Sequence, residues 1–185
     1  MAQNGIERTI AEHLFRHYGV KGSLKRLAGQ NLNYLVFSET GERFVTKIVG
    51  EDEPDGVSDM EFALLEHARN AGFSLELPSI IKTYNKKYET RIKLPIKRVY
   101  RLRLMAYIEG AVLEDICDIS SELLKSCGKT LAAFDRALEG FDHPAAHRAG
   151  DWELPRAGRQ REMLGSIEDP VLRHRVAWAL SLIHI

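Results

Sequence analysis

Lys47 stands in Phe44-Val45-Thr46-Lys47-Ile48, an apolar β-type run in which a cation is costly unless an anion meets it. Two chemistries fit such a lysine. Its ammonium can snorkel to water from a strand edge, or it can clamp phosphate oxygens while a carboxylate from the following helix holds it in place. That helix opens with Ser58-Asp59-Met60-Glu61, so Glu61 and Asp59 are both candidates for the carboxylate. Spacing does not separate them. Glu61 also has a purely local explanation, because Ser-x-x-Glu ahead of a helical run is a capping box.

Upstream, Gly29-Gln30-Asn31-Leu32-Asn33 is turn-rich, yet it has one glycine where two or three would let backbone amides wrap a triphosphate. Side-chain amides of Gln30, Asn31 and Asn33 can still donate to phosphate, and an ordinary β-turn explains them equally well. Downstream, Met105 and Tyr107 lie where a strand gives way to the loop Ile108-Glu109-Gly110. A nucleobase needs backbone hydrogen bonds at such a connection and apolar walls beside it. Met105 and Tyr107 suit those walls, and suit a plain core as well. His143 and His147 have the spacing of a helical metal pair, but Pro144 interrupts them and no third ligand is near, so no metal site is expected. No catalytic residue can be singled out, because neither H-x-D-x-x-x-x-N nor D-x-D occurs in the 185 residues.

The elements that must position these groups are legible from periodicity. Apolar residues at 6, 10, 14, 15 and 18 predict a helix that Gly19 stops. Strand-like runs at 24–27, 34–37 and 44–49, with a hairpin turn at Glu39-Thr40-Gly41, predict an antiparallel meander. A helix from Ser58 to Gly72 follows, then strand-like stretches at 80–84 and 100–107. Beyond Ala111 the pattern is helical. Leu123, Leu124, Cys127, Leu131, Phe134 and Leu138 form an apolar stripe expected to be core, with Cys127 a buried reduced thiol. A last helix is expected from Asp169-Pro170 to Leu180. The expected boundary falls at Glu109-Gly110, giving residues 1–109 as a β-rich lobe and 110–185 as the start of a helical one.

Hydrophobic content of 44% and charged content of 28% are those of a globular chain long enough to bury a core. Twenty-six basic residues balance twenty-six acidic ones, so bulk charge favours neither nucleic acid nor an anionic membrane as partner. Nine Lys/Arg between Lys82 and Arg103 are expected to cover the solvent face of a hairpin, the alternative being a phosphate-steering or RNA-binding face. Cys117 and Cys127 are too few for a zinc site or a disulfide framework. No signal-like N-terminus and no run of about 18 apolar residues is found, so the expected compartment is the cytoplasm.

The chain resembles the aminoglycoside phosphotransferase/choline kinase superfamily and, within it, the hydroxylysine kinase-like branch. The resemblance is carried by Gln30-Asn31, Lys47-Ile48, Ala71-Gly72-Phe73 and the stretch Tyr100 to Gly110. Glu122-Leu123-Leu124, Gly128-Lys129, His143-Pro144 and Trp152-Glu153-Leu154 continue it in the same order. It implies an α+β, protein kinase-like fold: an antiparallel five-stranded lobe with one packed helix, then the first helices of a C-terminal lobe. It implies transfer of the γ-phosphate of ATP or GTP, with Mg²⁺, to a hydroxyl of a small hydroxylated amine or amino acid such as 5-hydroxylysine. Lys47 matches the family's phosphate lysine, while the helix carboxylate matches Glu61 or Asp59.

The chain departs from the family pattern in one respect. The family's catalytic aspartate and magnesium ligands are expected beyond position 180, and they are missing; His184 is followed by no aspartate. The ending reads as a truncated reading frame or as a genuine short C-terminus. Two function classes follow: a small-molecule kinase of which this chain is an inactive N-terminal part, or a non-catalytic module that binds a nucleotide or a partner.

Overall fold

Ile10, Leu14 and Tyr18 wind onto one face of α1 (Ala2–Tyr18), which stops where Gly19 takes φ 74° and returns its amide to Phe15 O at 3.0 Å. Glycine is favoured there by its backbone, and any side chain would also displace the exposed Tyr84 ring. The φ is left-handed, and a Cβ would lie 2.2 Å from Tyr84 Oη. The computed structural model describes residues 2–29, 32–50, 53–95, 98–147 and 154–182. Gln30, Asn31 and His184, singled out above, lie outside the described residues.

β1 (Gly22–Arg26), β2 (Leu32–Ser38) and β3 (Arg43–Gly50) form the expected meander. β4 (Ile80–Ile81), β5 (Thr90–Lys93) and β6 (Val99–Ala106) complete a sheet of order β1-β2-β3-β6-β4, with β5 also on β6. Every pairing is antiparallel. Two details differ from expectation. β5 is an added strand inside the basic segment, where Ile92 is the buried position. The stretch 80–84 keeps only two strand residues, because Thr83 to Lys87 closes a turn with Lys86 at φ 61°.

Strand alternation divides the sheet into two chemistries. Phe44, Thr46 and Ile48 of β3 oppose Ala106, Leu104 and Leu102 of β6. That face packs on α1 as the main core, with Tyr34, Val36, Ile92 and Leu94. So α1 joins the expected helix in packing on the sheet. Tyr18 Oη donates to Leu102 O at 3.3 Å, tying α1 to β6. Thr46 Oγ1, fully buried, donates to Arg103 O at 3.1 Å. The other face carries Val45, Lys47 and Val49 opposite Met105, Arg103 and Arg101.

The second helix, α2 (Val57–Asn70), serves that charged face. Its N-cap is Gly56 at φ 82°, with no side-chain cap bond, so the capping box at Ser58 does not form. The helix begins one residue ahead of that serine, which places Ser58 and Glu61 inside it and frees both for tertiary partners. Among described residues no strand follows β6. α3 (Ser121–Ala137) is capped by Ser120, whose Oγ accepts from Leu123 N at 3.1 Å. Its apolar stripe is not the expected core: Leu124 and Leu131 are 57% and 62% exposed, and Cys127 is exposed rather than buried. Only the Phe134 end is engaged, edge-on to Phe73 at 5.2 Å.

Residues His147–Ile185 form a separate compact unit. In it a 3₁₀ segment, Leu154–Ser166, precedes α4 (Pro170–Ser181), which starts at the expected Asp169-Pro170. Asp169 Oδ1 accepts from Val171 N at 2.8 Å. No described helix is long and apolar enough to cross a membrane.

Burial on α1 has a testable consequence at His13. Burial, then the neighbouring His17 and Arg16 charges, lower its pKa from 6.5 to about 4. In the unfolded chain the imidazole takes up its proton near 6.5; in the folded chain it does so only near 4. The unfolded state therefore binds more protons in that window, and stability falls as pH drops from 6.5 towards 4. Thermal melts between these limits should show the slope in the parent chain and a shallower one in His13→Gln.

Candidate functional site

Three neighbouring strands place a polar row across the charged face. Asn33 of β2 is the register partner of Lys47 on β3, and Lys47 is the partner of Arg103 on β6. Directly opposed like charges are destabilising in a sheet. Here one carboxylate relieves them. Glu61, one turn into α2, places Oε1 3.1 Å from Lys47 Nζ and Oε2 2.8 Å from Arg103 Nη2. The two oxygens of a single glutamate are divided between two cations.

The pair is unequal in burial, and that decides what each cation can do. Arg103 is 1% exposed, whereas the Lys47 and Glu61 side chains keep 23% and 33% exposure. Arg103 is closed off from solvent by its partners. Nη1 also donates to Ser58 Oγ, and Nη2 lies 3.8 Å from Glu53 Oε1. Lys47 spends one of three N–H donors on Glu61. Its side chain keeps 23% exposure, so a polyanion can reach the ammonium. Asn33 Oδ1, beside it in the row, is buried with no hydrogen-bond partner; as an amide oxygen it accepts only, so it can meet a donor or a cation but not a phosphate oxygen. The Lys47 ammonium is the group of this row that fits the phosphate end of a nucleotide.

Glu61 meets Lys47, while Asp59 is exposed and lines a separate polar pocket of about 560 Å³ with Lys87, Tyr88 and Arg91. Met105 shares the Lys47 face through its register partner Val45. Tyr107 packs against Arg43, whose guanidinium carbon is 4.9 Å from the ring centroid. Tyr107 N donates to Arg43 O at 3.1 Å, and Arg43 also pairs with Glu109. Met105 and Tyr107 are thus half-buried at the end of β6, not in the main core.

The residue missed from sequence is Arg103. The basic stretch from Lys82 was expected to face solvent, but its last two arginines turn inward. Arg101 pairs with Glu53 at 3.1 Å and Asp55 at 3.6 Å, and its side chain keeps only 11% exposure. The available signal is strand parity: Leu102 and Leu104 face α1, so Arg101 and Arg103 must share the face of Lys47. Parity combined with the acidic segment ahead of α2 points to an ion-pair layer. Among described residues no group of three His, Cys, Asp or Glu is placed to hold a metal.

Comparison with known proteins bears on this arrangement. The sequence profile of a family described as "Phosphotransferase enzyme family" matches residues 23–183. The structure of a microcompartment-associated aminopropanol kinase aligns with TM-score 0.59 and 18% identity, over 79% of this chain and 45% of that one. An amicoumacin kinase, hAmiN, solved with AMP-PNP, Ca²⁺ and Ami, aligns with TM-score 0.66 and 14% identity, over 97% of this chain and 55% of that one. The chain therefore spans about half the length of these two structures. No curated protein sequence matches it. At such identities the likeness shows the fold: α+β, kinase-like, an antiparallel sheet followed by helices.

Proposed function

Since this chain belongs to the phosphotransferase enzyme family, we propose that it is the nucleotide-binding front of a small-molecule kinase. In this reading residues 1–109 are the nucleotide lobe and 110–185 begin the helical lobe. The reaction is transfer of the γ-phosphate of ATP or GTP to a hydroxyl of an amino alcohol or amino-acid-like acceptor, as in the hydroxylysine kinase-like branch. The observation that carries it is the 3.1 Å Lys47–Glu61 pair between β3 and α2, in which the lysine side chain keeps 23% exposure.

Lys47 neutralises phosphate oxygens and Glu61 keeps its ammonium from wandering, so the charge is in place before the nucleotide arrives. In this reading the side-chain amide of Asn33 donates to phosphate, Gln30 and Asn31 are further candidate donors by sequence, and Met105 and Tyr107 flank the base. A divalent cation, were it bound with the nucleotide, would supply charge neutralisation at the phosphates. The described residues do not fit such an ion, and no step is assigned to it. An amine-bearing acceptor is supported by the neighbour that is an aminopropanol kinase, aminopropanol being an amino alcohol.

The test uses a family-length protein carrying these residues, with ATP or GTP, Mg²⁺, and an acceptor panel of 5-hydroxylysine, 1-amino-2-propanol, ethanolamine and choline. Nucleotide-dependent phosphorylation of one of these hydroxyls is the expected result. Nucleotide binding without phosphorylation of any acceptor would replace the kinase reading by that of a non-catalytic module.

A further inference from the structure

We infer that Arg103 is a positioning residue, a buried guanidinium that fixes the Glu61 carboxylate so that one of its oxygens is always presented to Lys47. The inference rests on the reading of Lys47 as the phosphate clamp and adds to it a group no nucleotide touches. Three observations carry it. First, Arg103 and Lys47 are cross-strand partners, a like-charge pairing that needs a shared anion. Second, Arg103 is almost wholly buried and reaches two positions on α2 one turn apart: Ser58 through Nη1, Glu61 through Nη2. Its Nη2 contact to Glu61, at 2.8 Å, is an ion pair without an aligned hydrogen bond. The fork therefore sets the rotation of the helix as much as the charge balance.

Third, the first turn of α2 has one buried apolar residue, Val57, beside the buried Ser58 that Arg103 holds, and the next apolar anchor is Phe62, stacked on Tyr88 at 3.9 Å. At the far end Arg69 holds the loop after α2 through Leu77 O at 3.0 Å and Pro78 O at 2.6 Å. At the near end that task falls to Arg103. Without it, Glu61 keeps Lys47 as its one described cation, and the first turn loses both of its tethers to β6. The carboxylate then drifts with the helix and the lysine drifts with it.

Lysine acylation read by mass spectrometry tests this without requiring nucleotide. The purified 185-residue chain is treated with a limiting amine-acylating reagent, with Lys25 and Lys125 as exposed internal controls. In the parent chain the pairing with Glu61 shields Lys47. Arg103→Met is expected to raise Lys47 labelling at least about threefold relative to the controls, Glu61→Gln to raise it similarly, and the double variant to add nothing further. Arg103→Lys, which keeps the charge but loses the fork, should fall between. An additive double variant, or Lys47 labelling unchanged in Arg103→Met, overturns the inference.

If Arg103→Met loses its far-UV circular dichroism, the decision passes to Arg103→Lys. Parent-level labelling of Lys47 in that variant overturns the role of the fork, and raised labelling upholds it. A separate arm adds ATP or GTP with Mg²⁺ to the parent chain. Failure of nucleotide to protect Lys47 removes the phosphate-clamp reading and leaves the Arg103 result to stand or fall by itself.

Discussion

Replacing Lys47 with methionine in a family-length protein carrying these residues is expected to lower kcat/KM by about 10²–10³-fold while leaving the fold almost untouched. The size follows from what the lysine does in the proposed reaction: a positioned charge beside the transferring phosphoryl group is worth more there than in water, because nothing must reorganise when the transition state forms. The small stability cost follows from the second cation. Removing Lys47 leaves Glu61 still paired with Arg103 at 2.8 Å, so no buried carboxylate is stranded. A half-exposed ion pair adds at most about 1 kcal/mol to folding. Steady-state kinetics and a thermal melt on the same preparation separate the two effects. A melting temperature that collapses along with activity would make Lys47 a structural residue and remove the clamp.

The contrast with Arg103 sharpens this. Methionine at 103 strips the buried side of Glu61 and removes the Ser58 contact, while Glu61 keeps Lys47 at 3.1 Å and Glu53 keeps Arg101 at 3.1 Å. With Glu61 a third exposed, the cost is expected below the roughly 3–5 kcal/mol of breaking a wholly buried pair from one side. The two cations of one ion-pair layer are thus expected to fail in different ways: Lys47 in chemistry, Arg103 first in the placement of α2.

That layer also marks how far the sequence could be read. Gly19, Gly41 and Gly72 end their elements as composition predicts, each with φ between 74° and 89°. The apolar alternation of β3 makes Lys47 conspicuous because a cation interrupts it. Local rules failed where tertiary partners outbid them. Ser58 and Glu61 have the spacing of a capping box, yet Gly56 takes the cap and both side chains go to Arg103 and Lys47. Charge density misled in the same way: a basic run reads as a solvated face, and only the register of β6 against β3 shows that Arg101 and Arg103 face α2. In α3 the failure is the reverse. Its apolar spacing is that of a core helix, but periodicity reports only that a face is apolar, not that anything covers it. The groove between that face and Phe73, Leu75 and Leu77, about 500 Å³, remains open.

Residues 1–185 by themselves are expected to bind nucleotide weakly and to release no phosphorylated product. Enzymes lower barriers enough for accelerations of at least about 10⁶-fold, whereas one preorganised charge supplies about 10²–10³ of that. The remainder needs an aligned acceptor hydroxyl and a metal held between the phosphates. These 185 residues contain no H-x-D-x-x-x-x-N and no D-x-D. Among the described ones no three carboxylate, imidazole or thiolate groups converge. Lys47, Glu61 and Arg103 can hold a polyanion, but they have no means to orient an incoming alcohol or take its proton. Incubating the purified chain with labelled ATP or GTP, Mg²⁺ and 5-hydroxylysine measures this directly. Labelled product above a no-protein control, persisting after contaminating kinases are removed and lost in Lys47→Met, would place the missing chemistry within these residues.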